Sequence, residues 1–479
     1  MSVSQLSPQS VWTYFEQLNA IPRASKKEEE VLAWVKAFAD EHGLTHKQDS
    51  VGNIVIYKPA TAGKEGSPKV VMQGHVDMVH QKNADTEFDF DTEGIRMKIE
   101  GDWVKAEGTT LGADNGMAVA TMMAILASKD IAHPALEALF TVDEEAGMTG
   151  AQHLSEDLLS GEILLNMDTE EDDEFTIGSA GGVDTTTNYY YDKEELGDGF
   201  SGYNVVLHGL QGGHSGMEIH LGLGNANILL AQLILEAAPN IRLVSFDGGS
   251  LRNAIPREAS AIIALPESKA EALIEKIQQV FDAMKGIYAK TDPNMTLSIQ
   301  PALGIKLAAE YNESLNMLNS IAGCPNGVFR LSPEVPGLTE TSSNLARVVI
   351  KDGHFTTLSL QRSSIDAARD FAGKTVGSSF AAIGAEVEHS GQYPGWQPKS
   401  DSKVVNLMKD AYEANFDASP RITICHAGLE CGLIGKHYPN LDMISYGPTI
   451  RGAHSPDERV SISSVQKFWK LTLDTLERL

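Results

Sequence analysis

Three apolar runs in this 479-residue chain end in acidic or histidine side chains, and no other feature constrains the fold as strongly. The runs, each with the polar residues that follow it, are Lys69–Gln73 with His75 and Asp77, Leu139–Val142 with Asp143–Glu145, and Glu162–Asn166 with Asp168. Continuous apolar strands that alternate with helices indicate a central sheet covered on both faces. Such strand ends deliver the oxygen and imidazole donors that a carboxylate-rich site for two metal ions requires.

The middle of the chain predicts a second α/β region. Strands and helices alternate over residues 203–300, including a helix over 225–238. A comparable order recurs over residues 313–388, without a sequence repeat between the two stretches. Near the N-terminus, Ser25 and Glu28 resemble a capping box that opens a helix.

We therefore predict an α/β protein with a split catalytic domain and an inserted, two-lobed α/β lid domain. The catalytic domain, with a central mixed sheet flanked by helices, would comprise residues 1–185 and 396–479. The lid and dimerisation domain would comprise residues 186–395. A chain of 479 residues exceeds what one hydrophobic core usually supports, which favours this division.

Charge and composition exclude several classes of partner. The chain has 38 Lys and Arg against 65 Asp and Glu, a formal net charge of −27, which argues against nucleic acid or an anionic membrane. Three cysteines are too few for a disulfide framework. The first residues lack the basic and apolar regions of a signal peptide, and no apolar run approaches membrane-spanning length. We therefore expect a cytoplasmic protein.

His75 and Asp77 are two residues apart, so on a strand their side chains point to the same side. His75 is then a candidate metal ligand, and Asp77 a residue that orients its ring and raises its basicity. The alternative is a structural histidine beside a surface acid.

The other acidic residues also have two interpretations. Asp114 lies directly before an apolar helix, where it is either a metal-bridging ligand or a turn and N-cap residue. Glu144 and Glu145 follow a buried strand, where they form either a solvated face or a metal ligand with a neighbouring base.

Two further donors complete the candidate set. Asp168 follows the strand that ends at Asn166, and His454 lies in a turn near the C-terminus. Each signal is weak alone, but together these residues supply five ligands of suitable hardness and two helper acids. The set suits hydrolysis, because a metal lowers the pKa of bound water towards ~7 and a free carboxylate can take its proton.

His214, Asn344 and Arg362 are the polar residues singled out in the middle region, where simpler interpretations stay open. The segment GGHSG around His214 suits a flexible turn, and the polar run 340–344 suits a loop cap at Asn344. Arg362 suits an exposed strand end.

Six motifs carry a resemblance to a known family. They are HVDMV at 75–79, GADNG at 112–116, TVDEEAG at 141–147, NMDTE at 166–170, GGHSG at 212–216 and GAHSPDE at 452–458. In this order they resemble the dinuclear zinc peptidases related to aminoacylase and carboxypeptidase G, over essentially the whole chain. More narrowly, GGHSGMEIH at 212–220, GGSLRNAIPRE at 248–258, ETSSNLA at 340–346 and HAGLECG at 426–432 resemble the bacterial cytosolic dipeptidases that cleave Xaa-His dipeptides.

The resemblance implies a site for two zinc ions, with Co²⁺ or Mn²⁺ as possible substitutes. The implied ligands are Asp114 as the bridge, His75 and Asp168 for one ion, and Glu145 and His454 for the other. Asp77 would support a histidine ligand, and Glu144 would be the general base and later the proton donor to the leaving amine. The family also implies a cis peptide bond after Asp114.

The resemblance further implies how a substrate is held. His214 would polarise the scissile carbonyl or stabilise the oxyanion, commonly across a dimer interface. Asn344 and Arg362 would hold the C-terminal part, since arginine binds a carboxylate in a two-pronged fork. Glu430 would receive the free α-amino group.

On this resemblance we expect a homodimeric, metal-dependent dipeptidase that hydrolyses Xaa-His and related dipeptides with a zinc-bound hydroxide. Its partner would be a small dipeptide, not nucleic acid or a membrane. The alternatives are an N-acyl amino acid amidohydrolase or a tripeptidase of the same family, and a non-catalytic, metal-bearing binding protein.

Overall fold

The computed structural model describes residues 2–237 and 241–479, which form two compact units. The first unit contains the described residues up to Gly178, together with Pro398–Ile424 and Leu429–Leu479. The second contains the described residues of Ser179–Gln397 and a short return of the chain, Cys425–Gly428. Sequence patterns did not predict this return, because it lies between a strand and a helix that both belong to the first unit.

The helices and strands are given in chain order. Those before residue 180 are α1 (Gln9–Asn19), α2 (Glu29–Glu41), β1 (Thr45–Gln48), β2 (Ile54–Lys58), β3 (Val70–His75), β4 (Met97–Glu100), β5 (Trp103–Ala106), α3 (Ala113–Ala127), β6 (Leu136–Thr141), α4 (Glu144–Gly147), α5 (Thr149–Gln152), β7 (Ile163–Asn166) and β8 (Glu174–Ser179). Those of the middle region are β9 (Gly181–Tyr190), β10 (Lys193–Glu195), β11 (Phe200–His208), β12 (Gly213–His214), α6 (Ala226–Ala237), β13 (Arg242–Gly249), β14 (Ala254–Ile255), β15 (Ala259–Pro266), α7 (Ala270–Ile287), β16 (Thr296–Ala302), β17 (Leu307–Ala309), α8 (Tyr311–Ala322), β18 (Gly327–Leu331), β19 (Thr339–Lys351), β20 (His354–Ser363), α9 (Asp366–Ala381) and β21 (Glu386–Tyr393). Those of the last part are α10 (Lys403–Phe416), β22 (Arg421–Cys425), α11 (Glu430–His437), β23 (Asp442–Ser445), β24 (Ile450–Arg451), β25 (Arg459–Ser461) and α12 (Ile462–Arg478).

An eight-stranded mixed sheet forms the centre of the first unit, in the order β1-β2-β6-β3-β7-β23-β8-β22. Strands β6, β3, β7 and β23 run parallel to one another. Strands β3, β6 and β7 are buried along their whole length, as expected for strands covered on both faces. The parallel arrangement brings the carboxyl ends of these three strands to the same edge of the sheet.

Helices cover this sheet with apolar faces. Helix α1 buries Phe15 and Leu18. Helix α3 is buried on nearly every side, because it contacts both α1 and β3. Its regular turns begin at Gly116, since the backbone of the two preceding residues, Asp114 and Asn115, is not helical.

The second unit is built on a sheet of nine antiparallel strands, eight of them in the order β16-β11-β15-β13-β19-β20-β9-β21, with β18 paired to β19. The two predicted lobes lie side by side in this sheet and join where Phe246 of β13 pairs with Ile350 of β19. Helices α6 to α9 contribute to one hydrophobic core. The predicted helix 225–238 is confirmed as α6, although residue 238 lies outside the described residues.

The predicted α/β fold class is confirmed, because a central mixed sheet flanked by helices is interrupted in sequence by a second α/β unit. In the part of the chain that the structure describes, no helix is both long and apolar enough to cross a lipid bilayer.

Candidate active site

The predicted metal ligands of the first half of the chain lie at one edge of the mixed sheet. His75 is the last residue of β3, Glu144 and Glu145 open α4 just after β6, and Asp168 follows β7. Because these strands are parallel, their carboxyl ends lie next to one another. The sequence pattern of strand-end acids therefore corresponds to one cluster in space.

Asp114 lies between two histidines from distant parts of the chain. Its Oδ1 is 3.2 Å from Nε2 of His75, and its Oδ2 is 3.2 Å from Nε2 of His454. The peptide bond to Asn115 is cis, as the resemblance predicted. Gly74 lets this loop approach β3, because a Cβ there would overlap the Asn115 side chain. One carboxylate thus faces two separate groups of donors.

Each histidine also lies close to further carboxylates. Nε2 of His75 is 3.6 Å from Asp168 Oδ1 and 3.9 Å from Glu144 Oε2. Nε2 of His454 is 3.0 Å from Glu145 Oε2. The structure therefore brings all five predicted metal ligands together in two groups that share one carboxylate. These groups are His75, Asp114 and Asp168, and Asp114, Glu145 and His454.

Asp77 ties His75 to the acidic turn after β6. Its Oδ1 lies 3.3 Å from Nδ1 of His75. The backbone N–H groups of Glu144 and Glu145 donate to its two oxygens at 3.1 and 3.2 Å, and the Ser25 hydroxyl donates to Oδ2 at 2.8 Å. The predicted capping box is wrong, because Ser25 binds this carboxylate and α2 begins further along the chain.

In the second unit, His214 presents a defined ring nitrogen. It lies on β12, opposite Ala254 of β14. The backbone N–H groups of Gly216 and Met217 donate to its Nδ1 at 3.1 and 3.0 Å, so Nε2 carries the ring proton. Burial lowers the pKa of His214, which keeps the ring neutral. A neutral imidazole N–H is a donor suited to a carbonyl oxygen or an oxyanion.

Asn344 and Arg362 lie on the neighbouring strands β19 and β20, and both are buried. Asn344 donates to the backbone carbonyls of Arg252 and Ala254 at 3.1 and 2.8 Å. Arg362 donates to the Tyr393 hydroxyl at 2.9 Å. Asn344 Oδ1 and Arg362 Nε have no hydrogen-bond partner among the described residues. The loop cap and the exposed strand end are therefore wrong, because both residues belong to buried strands.

Glu430 is fully buried at the start of α11 in the first unit. Its Oε2 accepts hydrogen bonds from Gln73 at 2.6 Å and Thr141 at 2.8 Å, whereas its Oε1 has no partner within the described ranges. Burial raises the pKa of Glu430 to about 7. Since Gln73 and Thr141 lie at the carboxyl ends of β3 and β6, Glu430 lies at the same sheet edge as the metal ligands.

Comparisons with known proteins identify the family. The model of peptidase family M20/M25/M40 matches residues 71–478. The cytosol non-specific dipeptidase of Escherichia coli is 44% identical over 479 residues, which cover 100% of this chain and 99% of that protein. The chain belongs to peptidase family M20/M25/M40. This M20 peptidase is therefore a hydrolase of a metallopeptidase family that uses a divalent metal.

Solved structures agree with the assignment to the M20 peptidases. The aminoacylhistidine dipeptidase of Vibrio alginolyticus matches with a TM-score of 0.96 at 42% identity, over 100% of this chain and 98% of that chain. The aminopeptidase PepT of Bacillus cereus matches with a TM-score of 0.58 at 15% identity, over 98% of each chain, which shows a shared fold.

The clustered residues of this M20 peptidase fit divalent metal ions. Ligand atoms ~2.0–2.1 Å from a tetrahedral ion lie about 3.3 Å apart. The closest donor pairs in the two groups are separated by 3.2, 3.6, 3.2 and 3.0 Å. Glu145 Oε1 and Asp168 Oδ1 are buried without a hydrogen-bond partner among the described residues, and a cation bound at each of the two groups would satisfy them.

The charges of the cluster act strongly on one another. Hydrogen bonds to Asp114 and Glu145 raise the pKa of His454 to about 11. Burial would raise the pKa of Asp114, but the neighbouring histidines outweigh burial and lower it. Burial raises the pKa of Glu144 well above its ordinary value, and a higher pKa makes a carboxylate a stronger proton acceptor.

Sequence reasoning missed two residues that hold the loop before α3. The Glu458 carboxylate accepts hydrogen bonds from four backbone N–H groups of residues 111–114, at 2.7 to 3.3 Å. The buried Arg23 donates to the backbone carbonyls of Asp77 at 3.0 Å and Gly112 at 2.6 Å. Glu458 ends the GAHSPDE motif, so its position carried a signal, whereas Arg23 lies outside every motif.

Proposed function

We propose that this M20 peptidase is a cytoplasmic dipeptidase that hydrolyses Xaa-His and related dipeptides. The observation that carries the proposal is the position of Asp114, whose two oxygens face His75 and His454 at the same distance, 3.2 Å. The names of the relatives from E. coli and V. alginolyticus, cytosol non-specific dipeptidase and aminoacylhistidine dipeptidase, support the substrate class.

Five side chains would hold two zinc ions, with Co²⁺ or Mn²⁺ as possible substitutes. They are Asp114 as the shared ligand, His75 and Asp168 on one side, and Glu145 and His454 on the other. When bound, such ions polarise a carbonyl oxygen and lower the pKa of water towards ~7. Asp77 would keep the His75 ring in one orientation through Nδ1.

Glu144 would move the proton. Its carboxylate lies 3.9 Å from Nε2 of His75 and is not needed in either ligand group. It would take a proton from the attacking water and deliver that proton to the leaving amine. His214 would donate its Nε2–H to the carbonyl oxygen, which becomes anionic as the water attacks.

The buried charged side chains suit a substrate that has both a free α-amino group and a free C-terminal carboxylate. Glu430 has a buried carboxylate oxygen without a partner among the described residues, which suits an α-amino group. Arg362 has a buried guanidinium, which suits the C-terminal carboxylate, and Asn344 would bind next to it. An N-acyl amino acid has no ammonium group for Glu430, so these residues favour an unblocked dipeptide.

We further propose that the first unit is the catalytic domain and that the second serves as a lid and dimerisation domain. Light scattering on the purified protein tests the homodimer. A mass near that of one chain, 51.7 kDa, would contradict it.

A substrate panel on the metal-reconstituted protein tests the proposed activity. We expect kcat/KM for β-alanyl-histidine to exceed the values for N-acetyl amino acids and for tripeptides. Faster cleavage of N-acetyl amino acids would instead identify an amidohydrolase, and faster cleavage of tripeptides a tripeptidase. Absence of hydrolysis with any dipeptide would identify a non-catalytic binding protein.

A further inference from the structure

His426 is a buried histidine of the second unit that the proposed reaction does not use. It lies in the return segment Cys425–Gly428 and is 6% exposed. Its Nε2 is 2.7 Å from the Ser342 hydroxyl, whereas its Nδ1 has no hydrogen-bond partner among the described residues. Because buried polar atoms are almost always hydrogen-bonded, this nitrogen points to a ligand that the chain itself does not supply.

Two residues near His426, Asn344 and Arg362, also have a buried polar atom without a hydrogen-bond partner among the described residues. Ser342 of β19 pairs with Arg362 of β20, so the hydroxyl that holds His426 lies on the strand pair that carries the guanidinium. Asn344, two residues further along β19, points to the same side as Ser342. Arg362 Nε and Asn344 Oδ1 are also buried without a partner in the part of the chain that the structure describes. Three such atoms on adjacent segments indicate one ligand site.

The site carries a positive charge. Arg362 is held by the hydroxyl of Tyr393 at 2.9 Å, a neutral partner that leaves the charge of the guanidinium in place. The charge of Arg362 acts on the pKa of the nearby Asp184. The Asp184 carboxylate, however, forms its ion pair with Arg252, at 3.2 Å. The site therefore suits an anionic group.

The return segment also lies against the loop that carries His214. A side chain at Gly216 would overlap the backbone oxygen of His426 and would lie 3.0 Å from the His214 ring, so the two histidines are neighbours. Burial, followed by the charge of Arg362, lowers the pKa of His426 to about 3 and keeps its ring neutral. If Ser342 donates to Nε2, the proton of the neutral ring lies on Nδ1.

We propose that the Nδ1–H of His426 donates a hydrogen bond to the C-terminal carboxylate of the dipeptide, beside Arg362. Ser342 is then a positioning residue, which sets the tautomer of His426. The inference rests on the proposed function and describes its substrate site in more detail. Asn344 Oδ1 is an acceptor and cannot bind a carboxylate, so it would take the peptide N–H next to that carboxylate.

The test compares β-alanyl-histidine with its C-terminal amide as substrates of the metal-loaded protein. His426→Gln should raise KM for the free acid about 10-fold, the loss of one hydrogen bond to a charged group. It should leave kcat and the KM of the amide unchanged. His426→Asn, whose amide nitrogen can take the position of Nδ1, should restore part of the affinity. His208→Gln, at an exposed histidine of the same unit, is the matched control and should behave as the wild type.

Two outcomes would overturn the inference. Equal rises in KM for the acid and the amide would show that His426 does not bind the carboxylate. A rise confined to Xaa-His dipeptides and absent for Xaa-Leu would assign His426 to the substrate's imidazole instead. Ser342→Ala leaves the imidazole in place and should give a smaller rise for the acid alone, so it tests the inference even where His426→Gln does not fold.

Calorimetric binding of the same two ligands to the Glu144→Gln protein separates this inference from the proposed activity. The Glu144→Gln protein should bind the free acid more tightly than the amide. The double variant Glu144→Gln/His426→Gln should lose this difference in affinity, which would support the site without any turnover. If the wild type hydrolyses no dipeptide, the proposed function fails while this binding preference would still stand. If the wild type hydrolyses dipeptides but the free acid does not bind more tightly than the amide, the role of His426 is rejected and the proposed function stands.

Discussion

One carboxylate oxygen of Asp77 lies 3.3 Å from Nδ1 of His75, and the Asp77 backbone carbonyl lies 3.1 Å from the same atom. Asp77 therefore holds the ring from the side opposite its proposed metal-binding nitrogen. We expect Asp77→Asn to lower zinc affinity about 10- to 100-fold, because such partners fix the orientation and basicity of a ligating histidine. Titration of the metal-free protein with Zn²⁺ measures this. Ser25→Ala, which removes only one donor to Asp77, is the control and should have a smaller effect. An unchanged affinity in Asp77→Asn would contradict the role.

Substitution of Glu458, which is not one of the proposed metal ligands, tests whether its carboxylate holds the loop before α3. Its carboxylate accepts four backbone N–H groups of the loop that ends at Asp114. In Glu458→Gln an amide NH₂ would face some of these donors, so we expect the free energy of unfolding to fall by about 1.5–3 kcal/mol. Urea denaturation measures the change, with Asp457→Asn, an exposed acid beside it, as the control. Equal stability of both variants would show that the buried carboxylate does not hold the loop.

Substitution of Arg362 tests whether this residue binds the C-terminal carboxylate of the substrate. Arg362→Gln should raise KM for dipeptides with a free C-terminal carboxylate about 10- to 100-fold, since hydrogen bonds to a charged group contribute about 1.5–3 kcal/mol. The KM of the amidated dipeptide should change little, and steady-state kinetics on both substrates measure the difference. Equal KM values for the free and amidated dipeptides in the wild type would rule out binding of the C-terminal carboxylate by Arg362.

His426 gives the protein a specific sensitivity to acid. Its pKa is about 3 in the folded protein, against about 6.5 in the unfolded chain. Between these values the unfolded state binds a proton that the folded state does not, so stability is lost as the pH falls below about 6.5. The stability advantage of the wild type over His426→Gln should therefore shrink by about 2 kcal/mol between pH 7 and pH 5. Urea unfolding at both pH values measures it, and an unchanged difference would contradict a neutral buried ring.

The strand-end ligands could be predicted from sequence because their signal is local. His75, Glu145 and Asp168 each follow an apolar run, and parallel strands necessarily gather such ends at one sheet edge. His454 carries no comparable local signal, and only its motif connected it with Asp114. Arg23 could not have been found, because it donates mainly to backbone carbonyls, which no sequence pattern marks, and otherwise to Asn19 Oδ1 at 3.2 Å.

The strand β19 shows why part of the second unit was missed. Its polar run suits a loop by composition, yet the structure buries it in the middle of a sheet. Three of its hydroxyls are satisfied by partners that come from other segments of the chain. These pairs are Thr341 with Ser363, Ser342 with His426 and Ser343 with Gln361. Such partners make the burial of these hydroxyls possible, and sequence alone does not place them.

Substitution of Glu144 tests the proposed hydrolysis, because its carboxylate would transfer the proton and is not one of the five proposed metal ligands. The measurement is kcat for β-alanyl-histidine in Glu144→Gln, with the metal content determined on the same sample. We expect both metals to remain bound while kcat falls about 10²- to 10⁴-fold or more. An unchanged kcat at full metal content would contradict this role of Glu144.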